Sequence, residues 1–308
     1  MRARTLSLSH DISSLRQVLR PAKIQLSRAP FVARAALNRY KDPRRWGRHL
    51  TKAQRPMRVS TAEQKRKEGG FAETVRVVVH ALLIAVVIRT FLFQPFNIPS
   101  GSMMATLLIG DYLFVSKYTY GYSRYSFPFS LPLFTGRILG SGPERGDVVV
   151  FRLPRDDSTD YIKRVIGLPG DRIQMIDGVL NINGVPVKRE RAEDFVGTED
   201  GPGIKRIKRW KETLPNGVTY ETLDCVDNGF YDNTNVYTVP ANHFFMMGDN
   251  RDNSTDSRVL SAVCYVPFEN IVGRAQMIFF SIAEGEHAWM FWRWPTAVRW
   301  NRLFTIVR

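Results

Sequence analysis

The sequence predicts a mainly β fold: an antiparallel β-sheet domain carried on one N-terminal membrane-spanning helix. Three observations carry that expectation. A single segment, Ala72–Phe93, is long and apolar enough to cross a bilayer. Beyond it, short β-rich runs recur between turn signals, including two consecutive hairpin signals. No alternation of strand and helix patterns, the mark of a parallel sheet, is visible.

In chain order the basic tail comes first. Residues 1–70 hold 18 Lys/Arg against 4 Asp/Glu, whereas the remaining 238 hold 26 against 25. The net charge of +15 therefore belongs to the tail, and the body carries no surplus that would mark a nucleic-acid surface. The tail is expected to be disordered and cytoplasmic. Residues 1–58 are rich in Arg and Ser and nearly free of acid, in the manner of an organelle transit peptide. Met57 precedes an adequate basic flank of its own and is a candidate translation start.

The 22 residues of Ala72–Phe93 would make a helix of about 33 Å at about 1.5 Å per residue. The expected span is 71–93. Its clean core, Val77–Ile88, contains His80, and Arg76 and Arg89 must snorkel. A buried core helix or a cleaved signal peptide would pass the same test. No small-x-small site follows closely, however, and the polycationic flank is what a cytoplasmic side requires. The expected placement is the inner membrane, single-pass, with the N-terminus inside and residues 94–284 outside.

In that exported part, Tyr112–Ser116 and Val148–Leu153 read as strands. Arg172–Ile176, Val179–Ile182 and Val185–Lys188 are joined by Asp177-Gly178 and Asn183-Gly184, which suit type I′ turns. Residues 189–217 are highly charged with few apolar positions and are expected as a surface insertion. Val236–Val239, Phe244–Met247 and Ile271–Ser281 resume the strand pattern. Segment 285–308 interleaves Trp289, Trp292, Trp294 and Trp300 with arginines, which suits a membrane interface or a tail packed on the domain. Cys225 and Cys264 fit either a disulfide in an oxidising compartment or two buried thiols. Neither has metal-ligand spacing with the five histidines, so no metal site is expected.

The chemistry starts at Ser102, in Pro99-Ser100-Gly101-Ser102-Met103, a few residues beyond the spanning segment. A nucleophilic serine needs a base. His243 is the only histidine in mid-domain, and its place in an apolar strand explains it without catalysis. Lys163 is the better candidate. Alternation along Asp160–Gly167 puts it on one face with Tyr161 and Val165, where burial disfavours the charged form. An ordinary lysine is neutral in only about one of 2,500 molecules at pH 7, and lowering its pKa by about 2–3 costs roughly 3–4 kcal/mol. Gly248–Arg258 is dense in hydrogen-bonding groups and could orient such a base; Arg251 and the lack of a closing Glu argue against a calcium loop.

Phe96–Met103 with Gly110-Asp111, then Arg145–Phe151 with Tyr161–Asp171, then Gly248–Arg258, resemble in order the signatures of bacterial type I signal peptidases, or leader peptidases. The match spans roughly residues 90–281. It implies a signal-peptidase-like fold and a serine endopeptidase that cleaves preproteins after small-x-small (Ala-x-Ala) sites. Ser102 would be the nucleophile and Lys163 the general base. Ser254 would hydrogen-bond and orient Lys163, and Ser100 would join the Ser102 N–H in the oxyanion hole. Asp256 and Arg258 would pair to hold the loop, with Asp249 and Arg251 in support. Phe96, Ile98, Pro99, Leu107 and Ile162 would line shallow pockets for small residues. Ala105 departs from the family's usual proline, which loosens the turn and removes no functional group.

The implied partners are membrane lipids and preproteins, with work near the export translocon; no cofactor and no nucleic acid are expected. Two other readings stand beside this one. A Ser–Lys self-cleaving repressor would use the same dyad, but a membrane segment separates tail from domain and no helix-turn-helix is evident. A membrane-anchored binding module would lack hydrolysis.

Overall fold

The computed structural model describes residues 70–127, 130, 134–198 and 204–308. The basic tail and Met57 lie outside them. Helix α1, Phe71–Phe91, has 21 residues, a mean hydropathy of 2.1 over its most apolar 18, and none of that window buried against protein. It is about 32 Å long, enough to cross a hydrocarbon core of about 30 Å. It ends two residues before the expected boundary because Phe93 already belongs to a strand. Tyr122 Oη donates to Phe91 O at 2.9 Å and Lys117 N to Leu92 O at 3.0 Å, tying the helix end to the β domain.

Ten strands position the site: β1 (Phe93–Asn97), β2 (Asp111–Ser116), β3 (Val148–Arg152), β4 (Asp160–Gly167), β5 (Arg172–Ile176), β6 (Val179–Ile182), β7 (Ile204–Thr213), β8 (Thr219–Asp224), β9 (His243–Met247) and β10 (Ile271–Ser281). The main sheet runs β1-β2-β10-β3-β4-β9, with Val266–Pro267 beyond β9 and Thr305–Ile306 on β10. All of these strand pairings are antiparallel. β1, which contains Pro95, was not among the expected strands. It lies at the sheet edge, where a residue without an N–H is tolerated.

Both faces of β3 are buried. Val148 and Val150 join a core with Ile98, Met103 and Leu107, while Val149 and Phe151 join another with Val165 and Met246. That explains the unbroken apolar run, since a strand covered on both sides loses its alternation. The β5–β6 turn puts Asp177 at φ 48° and Gly178 at φ 70°, and the next turn puts Asn183 at φ 56° and Gly184 at φ 81°. Both are the left-handed pairs that type I′ hairpins require.

The charged segment 189–217 differs from expectation. Lys188–Arg191, Phe195–Thr198 and β7 pair as strands, and β8 extends this second sheet. Ile207 and Glu212, on opposite faces of β7, are both buried, so apolar periodicity could not reveal the ribbon. At the C-terminal end, Arg302 Nη2 bonds Asp111 Oδ2 at 2.5 Å and Thr106 O at 3.0 Å, and Val307 is buried. The segment therefore packs on the domain, while Trp289, Trp292 and Trp300 remain exposed. Among the described residues no disulfide joins Cys225 to Cys264.

Candidate active site

Ser102 stands on one 3-10 turn, Gly101–Met103, between β1 and β2, with Ser100 extended just before it. Ser102 is 8% exposed and Lys163, on β4, is 4% exposed. Lys163 Nζ donates to Ser102 Oγ at 2.6 Å and to Ile162 O at 3.1 Å. The Nζ also lies 5.4 Å from the Tyr161 ring, in keeping with the shared strand face. Burial lowers the Lys163 pKa to about 8; Asp256 and Asp249 pull it back up, and Arg258 adds to the lowering. A buried amine so placed can accept the proton of the hydroxyl it touches. Ser100 Oγ lies 3.5 Å from Ser102 Oγ.

The loop after β9 closes over this pair. Asn250 N donates to Ser102 O at 3.1 Å and Asn250 Nδ2 to Gly101 O at 3.3 Å. Asp256 pairs with Arg258 through Nε at 2.9 Å and Nη2 at 2.8 Å, and accepts Gly248 N at 3.0 Å. Burial opposes the Asp256 charge, but Arg258 and these donors outweigh it and hold the carboxyl below its ordinary pKa.

Two residues, Ser254 and Leu107, sit differently from expectation. The Ser254 hydroxyl donates to Asp256 Oδ2 at 2.8 Å instead of bonding Lys163, because the carboxylate is the stronger acceptor within reach. Asp249 is held by Arg164, at 2.8 and 2.7 Å, and accepts Thr106 Oγ1 at 2.5 Å. Leu107 is fully buried in the core with Met103 and does not reach the cleft.

An open cleft of about 510 Å³ runs past Ser102 and Lys163. Phe96, Ile98, Pro99 and Ile162 line it, together with Thr159, Asp160, Asn253 and Thr255. His243 lines a separate cavity with Arg137 and Phe268, so it is not brought to Ser102.

Sequence reasoning missed Thr106, Arg164, Glu212 and Tyr220. Arg164 had a signal, since an arginine in a strand covered on both faces needs a buried partner. At Ala105 the backbone φ is 22°, outside what a proline ring allows, so the turn as built could not take the family's usual residue.

Gly248 admits the closest approach in the site. A Cβ there would fall 2.3 Å from Ser254 Oγ and 2.5 Å from Ser102 O. Gly248→Ala is expected to push the loop off Ser102 and lower turnover about 10²-fold, since a displacement of about 1 Å can cost that much. Steady-state cleavage at matched folded fraction checks it.

Comparison with known proteins is consistent across the β domain. Residues 71–280 match the family described as signal peptidase, peptidase S26. The chain is 50% identical over 208 residues to a protein named Signal peptidase I from Rickettsia typhi, covering 65% of this chain and 76% of that one. It is 44% identical over 257 residues to one of the same name from Rickettsia rickettsii, covering 78% and 92%. A solved signal peptidase I from Enterococcus faecalis V583 matches 44% of this chain and 97% of its own at 25% identity, with a TM-score of 0.25.

Proposed function

The chain belongs to the peptidase S26 family of signal peptidases, serine endopeptidases that remove signal peptides, and we propose that it does so with Ser102 as nucleophile and Lys163 as general base. The observation that carries this reading is the 2.6 Å contact between the two groups, both of them buried side chains at the edge of the cleft. Neutral Lys163 takes the Ser102 proton as the oxygen attacks a peptide carbonyl, forming an ester and releasing the mature chain's amine. The Lys163 ammonium gives that proton to the departing amine; the neutral Lys163 then takes a proton from the water that attacks the ester and returns it to Ser102 Oγ as the new carboxylate leaves.

The Ser102 N–H and the Ser100 hydroxyl stabilise the oxyanion, where loss of one donor costs about 10²–10³ in rate. Ser254 acts through Asp256, holding the loop that packs on Ser102. Phe96, Ile98, Pro99 and Ile162 accept small side chains at the −1 and −3 positions, and Leu107 supports them from the core. Helix α1 anchors the enzyme with its N-terminus in the cytoplasm and the β domain outside, near the export translocon. Exposed Trp289, Trp292 and Trp300 suit contact with the bilayer interface.

The test is cleavage of a preprotein with an Ala-x-Ala site in detergent micelles. The unaltered protein and His243→Ala should cut it at rates within about two-fold of each other, while Ser102→Ala should fall by about 10⁴-fold or more. Phenylalanine at −1 should block cleavage, because shallow pockets reject added volume. An unaltered chain that cuts nothing would sink the proposal.

A further inference from the structure

The β7–β8 ribbon carries a buried carboxylate that plays no part in the proposed reaction. Glu212 on β7 stands directly opposite Tyr220 on β8, so both side chains share a face and are buried on it. Tyr220 Oη donates to Glu212 Oε2 at 2.8 Å. Arg251 meets the same carboxylate with two prongs, at 2.9 and 2.7 Å, and donates to Tyr220 Oη at 3.1 Å.

Arg251 lies in the loop that closes on Ser102. Its Nε donates to Gly248 O at 3.3 Å, and its backbone oxygen accepts Arg258 Nη2 at 2.5 Å. Its N donates to Leu223 O on β8 at 2.9 Å, while Leu223 N donates to Asp249 O at 2.8 Å. The ribbon thus grips the loop on both sides of Asn250, the residue whose N–H holds Ser102 O.

We infer that Glu212, braced by Tyr220, is a positioning residue for the peptidase reaction: it fixes Arg251 and so keeps the Gly248–Arg251 turn seated on Ser102. This rests on the reading of Ser102 and Lys163 as the reacting pair. The charge of Glu212 is what matters. Burial works against the Arg251 guanidinium; Glu212 is the leading attraction that favours it, with Tyr220 and then Asp249 adding to it, and together they outweigh the burial. Without Glu212 the buried cation has Asp249 to turn to, a carboxylate already committed to Arg164 in the same turn. The loop, and with it the Asn250–Ser102 contact, is drawn out of place.

The experiment uses the full chain in micelles with the Ala-x-Ala preprotein, each variant assayed well below its own melting midpoint. Glu212→Gln should lower kcat about ten-fold or more and leave KM within about two-fold, the pattern of a group that acts on the reacting geometry and not on substrate binding. Glu212→Asp, which keeps the charge, should recover most of that loss. Adding Glu212→Gln to Arg251→Met should cost less than about two-fold further, because both act through one contact. A kcat for Glu212→Gln close to the unaltered value, equal losses for Gln and Asp, or multiplying losses in the double variant would each overturn the inference. Should Glu212→Gln not fold, the Asp variant and the Arg251 background decide it. An unaltered chain without activity overturns the Ser102–Lys163 reading instead, and this inference with it.

Discussion

Lys163→Met should leave a folded, more stable protein whose cleavage rate is down on the order of 10⁴-fold, the upper end of what a positioned base contributes. The two effects have one cause. Burial among Ser102, Ile162 and the Tyr161 ring brings the lysine to a pKa of about 8, against 10.5 for a free side chain. At pH 7 about one molecule in ten then holds the neutral amine, where an ordinary lysine would supply about one in 2,500. In the unaltered protein the rate should climb with unit slope from pH 6 and level off above about pH 8, because only the neutral form accepts the Ser102 proton.

The stability sign follows from the same numbers. The folded-state pKa lies below the unfolded one, so between about pH 8 and 10.5 the unfolded chain binds more protons and stability rises with pH. Below pH 8 the full penalty is present, about 3 kcal/mol at about 1.36 kcal/mol per unit. Methionine, apolar and of similar length, removes it. Urea titrations at pH 7 and pH 10 check this: the variant's advantage should be present at pH 7 and shrink at pH 10. A variant that keeps activity, or that gains nothing at pH 7, contradicts the assignment of Lys163 as a desolvated base.

What the sequence revealed and what it concealed divide along physical lines. The hairpins at Asp177-Gly178 and Asn183-Gly184 were readable because turn chemistry is local. Ser102 and Lys163 stood out because a hydroxyl beside the bilayer and a lysine between Tyr161 and Val165 are unusual placements that also fit an ordered set of motifs. The ribbon was not readable, since β7 turns a carboxylate inward where a pattern search looks for apolar side chains. β1 was not read as a strand, and the edge position that tolerates its Pro95 exists only once β2 and β10 are in place. Inside Gly248–Arg258 the motif offered the Asp256–Arg258 pair but not the partners of Asp249 and Arg251. Asp249 and Arg251 are two residues apart, yet they face partners on different strands, Arg164 on β4 and Glu212 on β7. Spacing in a loop says which groups are near and leaves open which way each one points.

Asp249→Ala is the substitution with the largest expected effect on stability. Arg164 is fully buried, with its guanidinium over the Tyr220 ring at 4.2 Å and its Nη1 on Gly146 O at 2.7 Å. Asp249 is its carboxylate partner, and together they form a two-pronged pair inside the protein. Removing one member of such a pair leaves an uncompensated buried charge and typically costs about 3–5 kcal/mol. Replacing both members by apolar groups, Arg164→Met with Asp249→Leu, should restore most of that stability, because the desolvation penalty of the two ions disappears with them. Activity should not return with it. Asp249 also receives the Thr106 hydroxyl, which links the segment after Ser102 to the closing loop, and leucine cannot accept that bond. The double variant is therefore expected to melt near the unaltered protein and to cleave at least about ten-fold more slowly, the loss of an alignment contact. Urea unfolding and preprotein cleavage on the same samples separate the two quantities. A single variant that loses less than about 1 kcal/mol would mean that Arg164 finds water or another acceptor, and the buried pair would then be no more than a surface-like contact.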